Sequence, residues 1–218
     1  MNFTSTRIPY RQTGAFSRIV VDYIDQTDTL KPFYAHTPSL QGIHKAIAGR
    51  KQFPGHRELL VQELKKQYEG VAVHPKVSDH INALLSPDTF TITTAHQNNI
   101  FTGPLYFIYK IIHAIKLADT LNRSMPDYRF VPVYYIGSED ADLDELNHIR
   151  LNGEKLTWNT KQKGAVGRMK LDKQVTALIS QMEGQLGILP FGKEIINLIR
   201  ESYQEGTTLQ DATFRFVH

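Results

Sequence analysis

Among its 218 residues the chain has no cysteine. That absence excludes disulfides, thiolate metal sites and a cysteine nucleophile, and it fits a reducing cytosol. No apolar run is long enough to span a bilayer, and residues 1–7 lack the apolar core of a signal peptide. A cytoplasmic location with no membrane partner is therefore expected. The chain also lacks a dense lysine–arginine block with interleaved aromatics. Its 25 basic and 22 acidic residues leave a net charge of +3, so nucleic acid is not the expected partner. No repeat or low-complexity segment occurs. What remains is 41% hydrophobic, enough for one large globular domain or a domain with an arm.

The first third reads as helices. Residues 16–24 place Ile19, Val20, Tyr23 and Ile24 at helical spacing. Thr37-Pro38 reads as an N-cap with proline at the first helical position, opening a helix to about Arg50. Pro54-Gly55 breaks the chain. Residues 57–69 are amphipathic, with Gly70 as a stop, and Pro75 opens a short helix. β character begins after Ser86-Pro87-Asp88.

Residues 89–94 are rich in β-branched side chains and predict a strand. Gly103-Pro104 then starts a helix over 105–121 that is apolar on most sides, as if buried against a sheet. Residues 130–136 form a second, nearly continuous apolar strand, a pattern expected of strands covered on both faces. Strand, helix, strand is a right-handed parallel crossover by default. Asp142 and Glu145 fit an N-cap and its reciprocal partner. Asn152-Gly153 favours a type I′ turn between two short strands, a β-hairpin. Residues 164–169 read as a flexible connector. Helices follow over 172–182 and 193–203, and a last one opens at Thr208.

Two polar loops follow the two parallel strands, and such loops share one crevice at the carboxyl ends of the strands. The first carries His96, Gln97, Thr102 and Gly103, and it feeds a helix N-terminus whose amides suit anionic oxygens. The second carries Ser138, Glu139 and Asp140. Crowded carboxylates there suit a general base, or oxygen ligation of a divalent metal. Asp144 and Glu145 fall in a first helical turn, where they serve the helix dipole. Lys110 is a candidate for reaching the crevice. Arg168, between glycines, is a candidate carboxylate clamp. Asn147-His148 has no metal partner at helical spacing.

These residues also fall into a known order. Ile8-Pro9-Tyr10 with Thr13-Gly14, His96-Gln97, Phe101-Thr102-Gly103-Pro104-Leu105-Tyr106 and Ile108-Tyr109-Lys110 form its first part. Ser138-Glu139-Asp140-Ala141-Asp142, Glu145 with Asn147-His148, and Val166-Gly167-Arg168-Met169 complete it. The chain resembles the bacillithiol biosynthesis cysteine-adding enzymes, the cysteine ligases of that pathway. Many members read Gly-Gln-Gln where this chain has Ala95-His96-Gln97, so a role for Gln97 carries over best.

The resemblance implies an α/β fold with a Rossmann-like parallel sheet core, an N-terminal helical arm and an inserted β-hairpin and helical segment. The expected organisation is residues 1–87 as a helical arm packing on the core, 88–147 as the first βαβ half, and 148–218 as a connective insertion. Family members are longer, so the chain is expected to be an N-terminal fragment, inactive alone. A homodimer is expected only for the full-length protein. The implied activity is amide formation between cysteine and glucosaminyl-malate. Glu139, Asp140 and His96 are the implied catalytic groups. Gln97, Thr102, Gly103, Lys110, Ser138, Asn147, His148 and Arg168 are implied to bind substrate or nucleotide. The fold suggests ATP or ADP, although no phosphate-loop lysine motif is present, and no resident metal is expected. Two alternatives stand beside it: a sugar-nucleotide transferase with a metal on Asp140-Ala141-Asp142, and a non-catalytic α/β adaptor.

Overall fold

A computed structural model describes residues 4–53 and 55–218. Pro54 and residues 1–3, used above, lie outside them. The chain divides into two compact units, Met1–Asp88 and Thr89–His218.

The first unit is helical: α1 (Tyr10–Thr13), α2 (Arg18–Ile24), α3 (Leu40–Lys51), α4 (Arg57–Gln67) and α5 (Pro75–Ala83), with a 3₁₀ turn at Asp28–Phe33. The cap of α3 is Ser39, not Thr37. Ser39 accepts from the Gly42 amide, while the Thr37 hydroxyl pairs with that of Ser39 at 2.9 Å. The Thr37 carbonyl lies 2.0 Å from where a Cβ on residue 42 would stand, a close approach that only glycine permits. Gly70, at φ +75°, closes the segment after α4. Arg57 ties α4 to the end of this unit by donating to the Leu84 carbonyl at 2.9 Å.

The second unit begins with β1 (Thr89–Gln97), α6 (Tyr106–Ser124) and β2 (Arg129–Gly137). β1 and β2 pair in parallel from Thr89↔Arg129 to Gln97↔Gly137. Their carboxyl ends therefore stand side by side, and the crevice they border is fixed by register. β1 runs three residues further than its β-branched stretch predicts, so His96 and Gln97 belong to the strand. Helix α6 lies against both strands. It buries Phe107, Ala114, Ala118 and Leu121.

Two expectations fail here for one reason. A two-stranded sheet with one helix on it covers a single face of each. The other side of α6 leaves Leu105, Tyr106, Tyr109, Ile112 and Ile115 exposed, and Tyr135 on β2 is 55% exposed.

After β2 come α7 (Leu143–Leu146), then β3 (His148–Leu151) and β4 (Glu154–Thr157), paired antiparallel. Asn152 and Gly153 have φ of +49° and +86°, the left-handed pair that a type I′ turn requires. Helices α8 (Lys173–Leu186), α9 (Gly192–Ser202) and α10 (Leu209–Val217) complete the unit. The hairpin lays Leu156 and Trp158 into one apolar core with Val175, Ile179, Ile196 and Leu209. Asp172 joins hairpin to helix. It caps α8 through the Gln174 amide and accepts from the Trp158 indole, both at 3.0 Å. Thr208 caps α10 through the Asp211 amide.

The segment 164–169 is not a flexible connector. Val166 and Gly167 are buried in a 3₁₀ turn and Met169 joins the core. Apolar side chains at 166 and 169 outweigh the freedom that the flanking glycines suggest.

Candidate active site

At the ends of β1 and β2 the chain brings two of the candidate groups into direct contact. Gln97 Nε2 donates to Asp140 Oδ2 across 43 residues of sequence. The other carboxylate oxygen, Oδ1, accepts from the Asp142 amide at 2.9 Å. That second bond replaces the expected capping box, since Asp142 makes no side-chain cap bond. The Asp140 carbonyl is held as well, accepting from the Val166 amide at 2.7 Å. Hydrogen bonds from Gln97 and Asp142 hold the Asp140 carboxyl below the usual carboxylate range, so it stays an anion at neutral pH.

His96 lies one residue earlier. Its ring stacks on Tyr106 at 5.1 Å and tilts against Phe107 at 5.4 Å. Its Nε2 is buried with no hydrogen-bond partner among the described residues. Burial, then the charge of Lys110, lower its pKa, so the imidazole is neutral at pH 7.

The turn between β1 and α6 is held in unusual backbone geometry. Phe101, Thr102 and Gly103 all have positive φ, at +48°, +72° and +63°. Non-glycine residues rarely adopt that region without compensation. Two buried side chains supply it. Asn99, 6% exposed, fills the space over Gly103 so closely that a Cβ there would stand 2.4 Å from the Asn99 Cβ. Its Nδ2 donates to the Glu145 carbonyl at 3.3 Å. The ring of Tyr203 packs on that of Phe101 at 5.0 Å.

The anion-binding role expected of this turn meets a geometric limit. The Gly103 amide donates to the Ile100 carbonyl at 2.9 Å and the Phe107 amide to Pro104 at 3.0 Å. Helix α6 begins at Tyr106, two residues after Pro104. Those two amides are thus engaged within the turn.

A cavity of about 430 Å³ opens beside this turn. His96, Gln97, Asn99 and Gly103 form one wall, and Glu145, His148 and Arg150 another. Asn147 fixes His148, with Oδ1 3.1 Å from the ring Nδ1. Ser138 lies beneath the 3₁₀ turn, where a Cβ on Gly167 would stand 2.6 Å from its own. Glu139 is exposed beside it. Two candidates stand apart. Lys110 is exposed, donates to the Ala95 carbonyl, and lines a separate cleft of about 370 Å³ with Tyr106 and Tyr109. Arg168 is exposed and does not line the cavity.

Asn99 and Arg150 are absent from the candidates read from sequence. Asn99 gives no local signal, because its role depends on Gly103 folding back over it. Arg150 could have been found by strand alternation, which puts it on the same face as His148.

Residues 1–218 match the family described as bacillithiol biosynthesis BshC, N-terminal Rossmann-like domain. The chain belongs to that family. Its α/β architecture, with a parallel sheet, is that of a Rossmann-like domain. Among curated relatives, a candidate cysteine ligase BshC from Flavobacterium psychrophilum is 41% identical over 209 residues, 94% of this chain and 39% of that protein. The protein of the same name from Flavobacterium johnsoniae is 38% identical over 208 residues, again 94% and 39%. The one from Cytophaga hutchinsonii is 38% identical over 216 residues, 99% and 39%. The chain thus spans about two-fifths of the length of the BshC relatives it matches. No helix among the described residues is long and apolar enough to cross a membrane.

Proposed function

We propose that this BshC domain contributes the crevice in which a cytoplasmic ligase joins the carboxyl carbon of cysteine to the amino nitrogen of glucosaminyl-malate. Family membership supports the ligase class. The observation that carries the chemistry is the Gln97–Asp140 couple at the paired strand ends.

A carboxamide N–H and a carboxylate in contact match the two ends of the reaction. Asp140, an anion at neutral pH, receives the substrate ammonium. The Gln97 amide donates to the carboxyl oxygen that gains charge as nitrogen adds. Neutral His96 stands next to Gln97 to take the proton the nitrogen gives up. A carbon–oxygen bond is exchanged for a carbon–nitrogen bond with loss of the elements of water, which ATP hydrolysis would take up. Condensing a free carboxylate with an ammonium is uphill in water. ATP belongs to the proposal as the energy source, and no step is assigned to it on the described residues.

The test uses the full-length protein with cysteine, glucosaminyl-malate and ATP, followed by mass spectrometry for the dehydrated adduct. Asp140→Asn should lose roughly 10²-fold in turnover or more, the scale of removing one preorganised electrostatic contact. Asp144→Asn should stay near wild type, because Asp144 is exposed on α7. No adduct from the wild type, or a larger loss at Asp144, would contradict the proposal.

A further inference from the structure

The turn that walls the cavity is not held by its own sequence. Phe101, at φ +48° and ψ +37°, and Thr102, at φ +72°, both sit in the left-handed region, and Thr102 is β-branched. Such a residue keeps that backbone only where its surroundings over-determine it. The Gly103 amide closes the turn by donating to the Ile100 carbonyl at 2.9 Å. Ile100 and Phe101 are buried in the apolar core built by the hairpin and the last three helices.

Tyr203, the residue after α9, reaches the turn from that core. It is 1% exposed, and its ring lies 5.0 Å from that of Phe101 and 6.3 Å from that of Phe216 on α10. Its hydroxyl makes no hydrogen bond of ordinary geometry among the described residues. The Thr213 hydroxyl and the Thr102 and Phe101 backbone still oppose the rise that burial gives its pKa, which places the outer end of the ring against the turn. What Tyr203 gives the turn is thus its ring.

Tyr203 is itself pinned on both sides. Its amide donates to the Ile199 carbonyl at 2.8 Å. Beyond it the chain is stitched to residues 169–171. The Gly206 amide donates to Leu171 at 2.8 Å, the Leu171 amide to Thr207 at 2.9 Å and the Leu209 amide to Met169 at 2.9 Å. The stretch 166–171 also holds the acidic loop, through the Val166 amide on the Asp140 carbonyl. One part of the chain therefore braces both polar loops.

We infer that Tyr203 is a positioning residue for the crevice: its ring holds Phe101 in the left-handed backbone that sets Asn99 and Gly103 as a cavity wall. This rests on the proposed function and names a residue outside the cavity that governs the affinity of that site. Tyr203 does not line the cavity and acts through the turn. Without its ring the turn relaxes toward ordinary backbone and Asn99 loses its seat over Gly103. The paired strand ends keep their register, so binding suffers before chemistry does.

The first readout is amide hydrogen exchange by NMR in this chain. Tyr203→Leu should speed exchange at Gly103 by roughly tenfold or more relative to the Ala212 amide of α10, a local opening rather than global unfolding. Tyr203→Phe keeps the ring and should match the wild type. Phe101→Leu removes the other ring of the pair and should give the same shift, which keeps the test decisive if one leucine variant does not fold. Ile179→Ala cuts the same core on α8 and should lower the melting temperature while leaving the Gly103-to-Ala212 ratio unchanged. The second readout is steady-state kinetics of the full-length protein with cysteine, glucosaminyl-malate and ATP. Tyr203→Leu should raise KM for at least one substrate roughly tenfold with kcat near wild type, the pattern of lost binding, and Tyr203→Phe should not. Gly103 exchange that keeps pace with Ala212 in the leucine variants, a ratio shifted as far by Ile179→Ala, or an unchanged KM for both substrates would each overturn the positioning role. The exchange measurement needs no turnover, so failure of the ligase assignment is read separately.

Discussion

His96 and His148 are both held uncharged at neutral pH, for related reasons. Burial lowers each pKa first, and nearby cations add to it: Lys110 for His96, Lys155 and Arg150 for His148. A histidine whose folded pKa is depressed below the unfolded value of about 6.5 stabilises the fold only while both states are neutral. As pH falls through that value, the unfolded chain takes the proton first and stability is lost. The melting temperature of this chain should therefore drop between pH 7 and pH 5, and His96→Gln should make the drop shallower. An equal slope in the variant, or a His96 titration by NMR at or above about 6.5, would contradict the buried neutral ring. At this scale the sequence was partly legible. A polar pair at a strand end, His96-Gln97, and an acidic loop after the next strand stand out locally. The bond between Gln97 and Asp140, and the seat of Asn99 over Gly103, do not. Each needs partners brought together by the fold.

Elements were more legible where a local rule dominates. Asn152-Gly153 has one favoured turn, and the hairpin follows from it. The parallel pair β1–β2 follows from two apolar runs separated by a helix. The covering of those elements was not legible, because apolar composition tells what can be buried and not what is there to bury it; the outer face of α6 shows the difference. Nor was the 164–169 segment, in which glycine at 167 serves close approach and not flexibility. A Cβ on Gly167 would stand 2.6 Å from the Ser138 Cβ and 2.7 Å from its carbonyl oxygen. Gly167→Ala should thus push the 3₁₀ turn off the acidic loop and weaken the Val166–Asp140 bond. Overpacking of this kind costs about 1–3 kcal/mol, and for a chain of this length each kcal/mol lowers the melting temperature by roughly 2–4 °C. Unchanged melting, with the Val166 amide as protected from hydrogen exchange as in the wild type, would show that the contact is slack.

For the whole molecule, family membership places a Rossmann-like domain here, and the register of β1 and β2 places two polar segments at one end of its parallel pair. The central claim is that these two strand ends act as one site through Gln97 and Asp140. Residues that act as a unit show losses that do not multiply. The direct measurement is a double-mutant cycle in the full-length protein: steady-state cysteine-adding turnover of Gln97→Ala, Asp140→Ala and the pair, with melting temperatures to confirm folding. The account predicts that the double variant loses no more than the worse single variant, roughly 10²-fold. Losses that multiply to the product of the two singles, with the fold intact, would show that Gln97 and Asp140 serve independent purposes and would contradict a shared site.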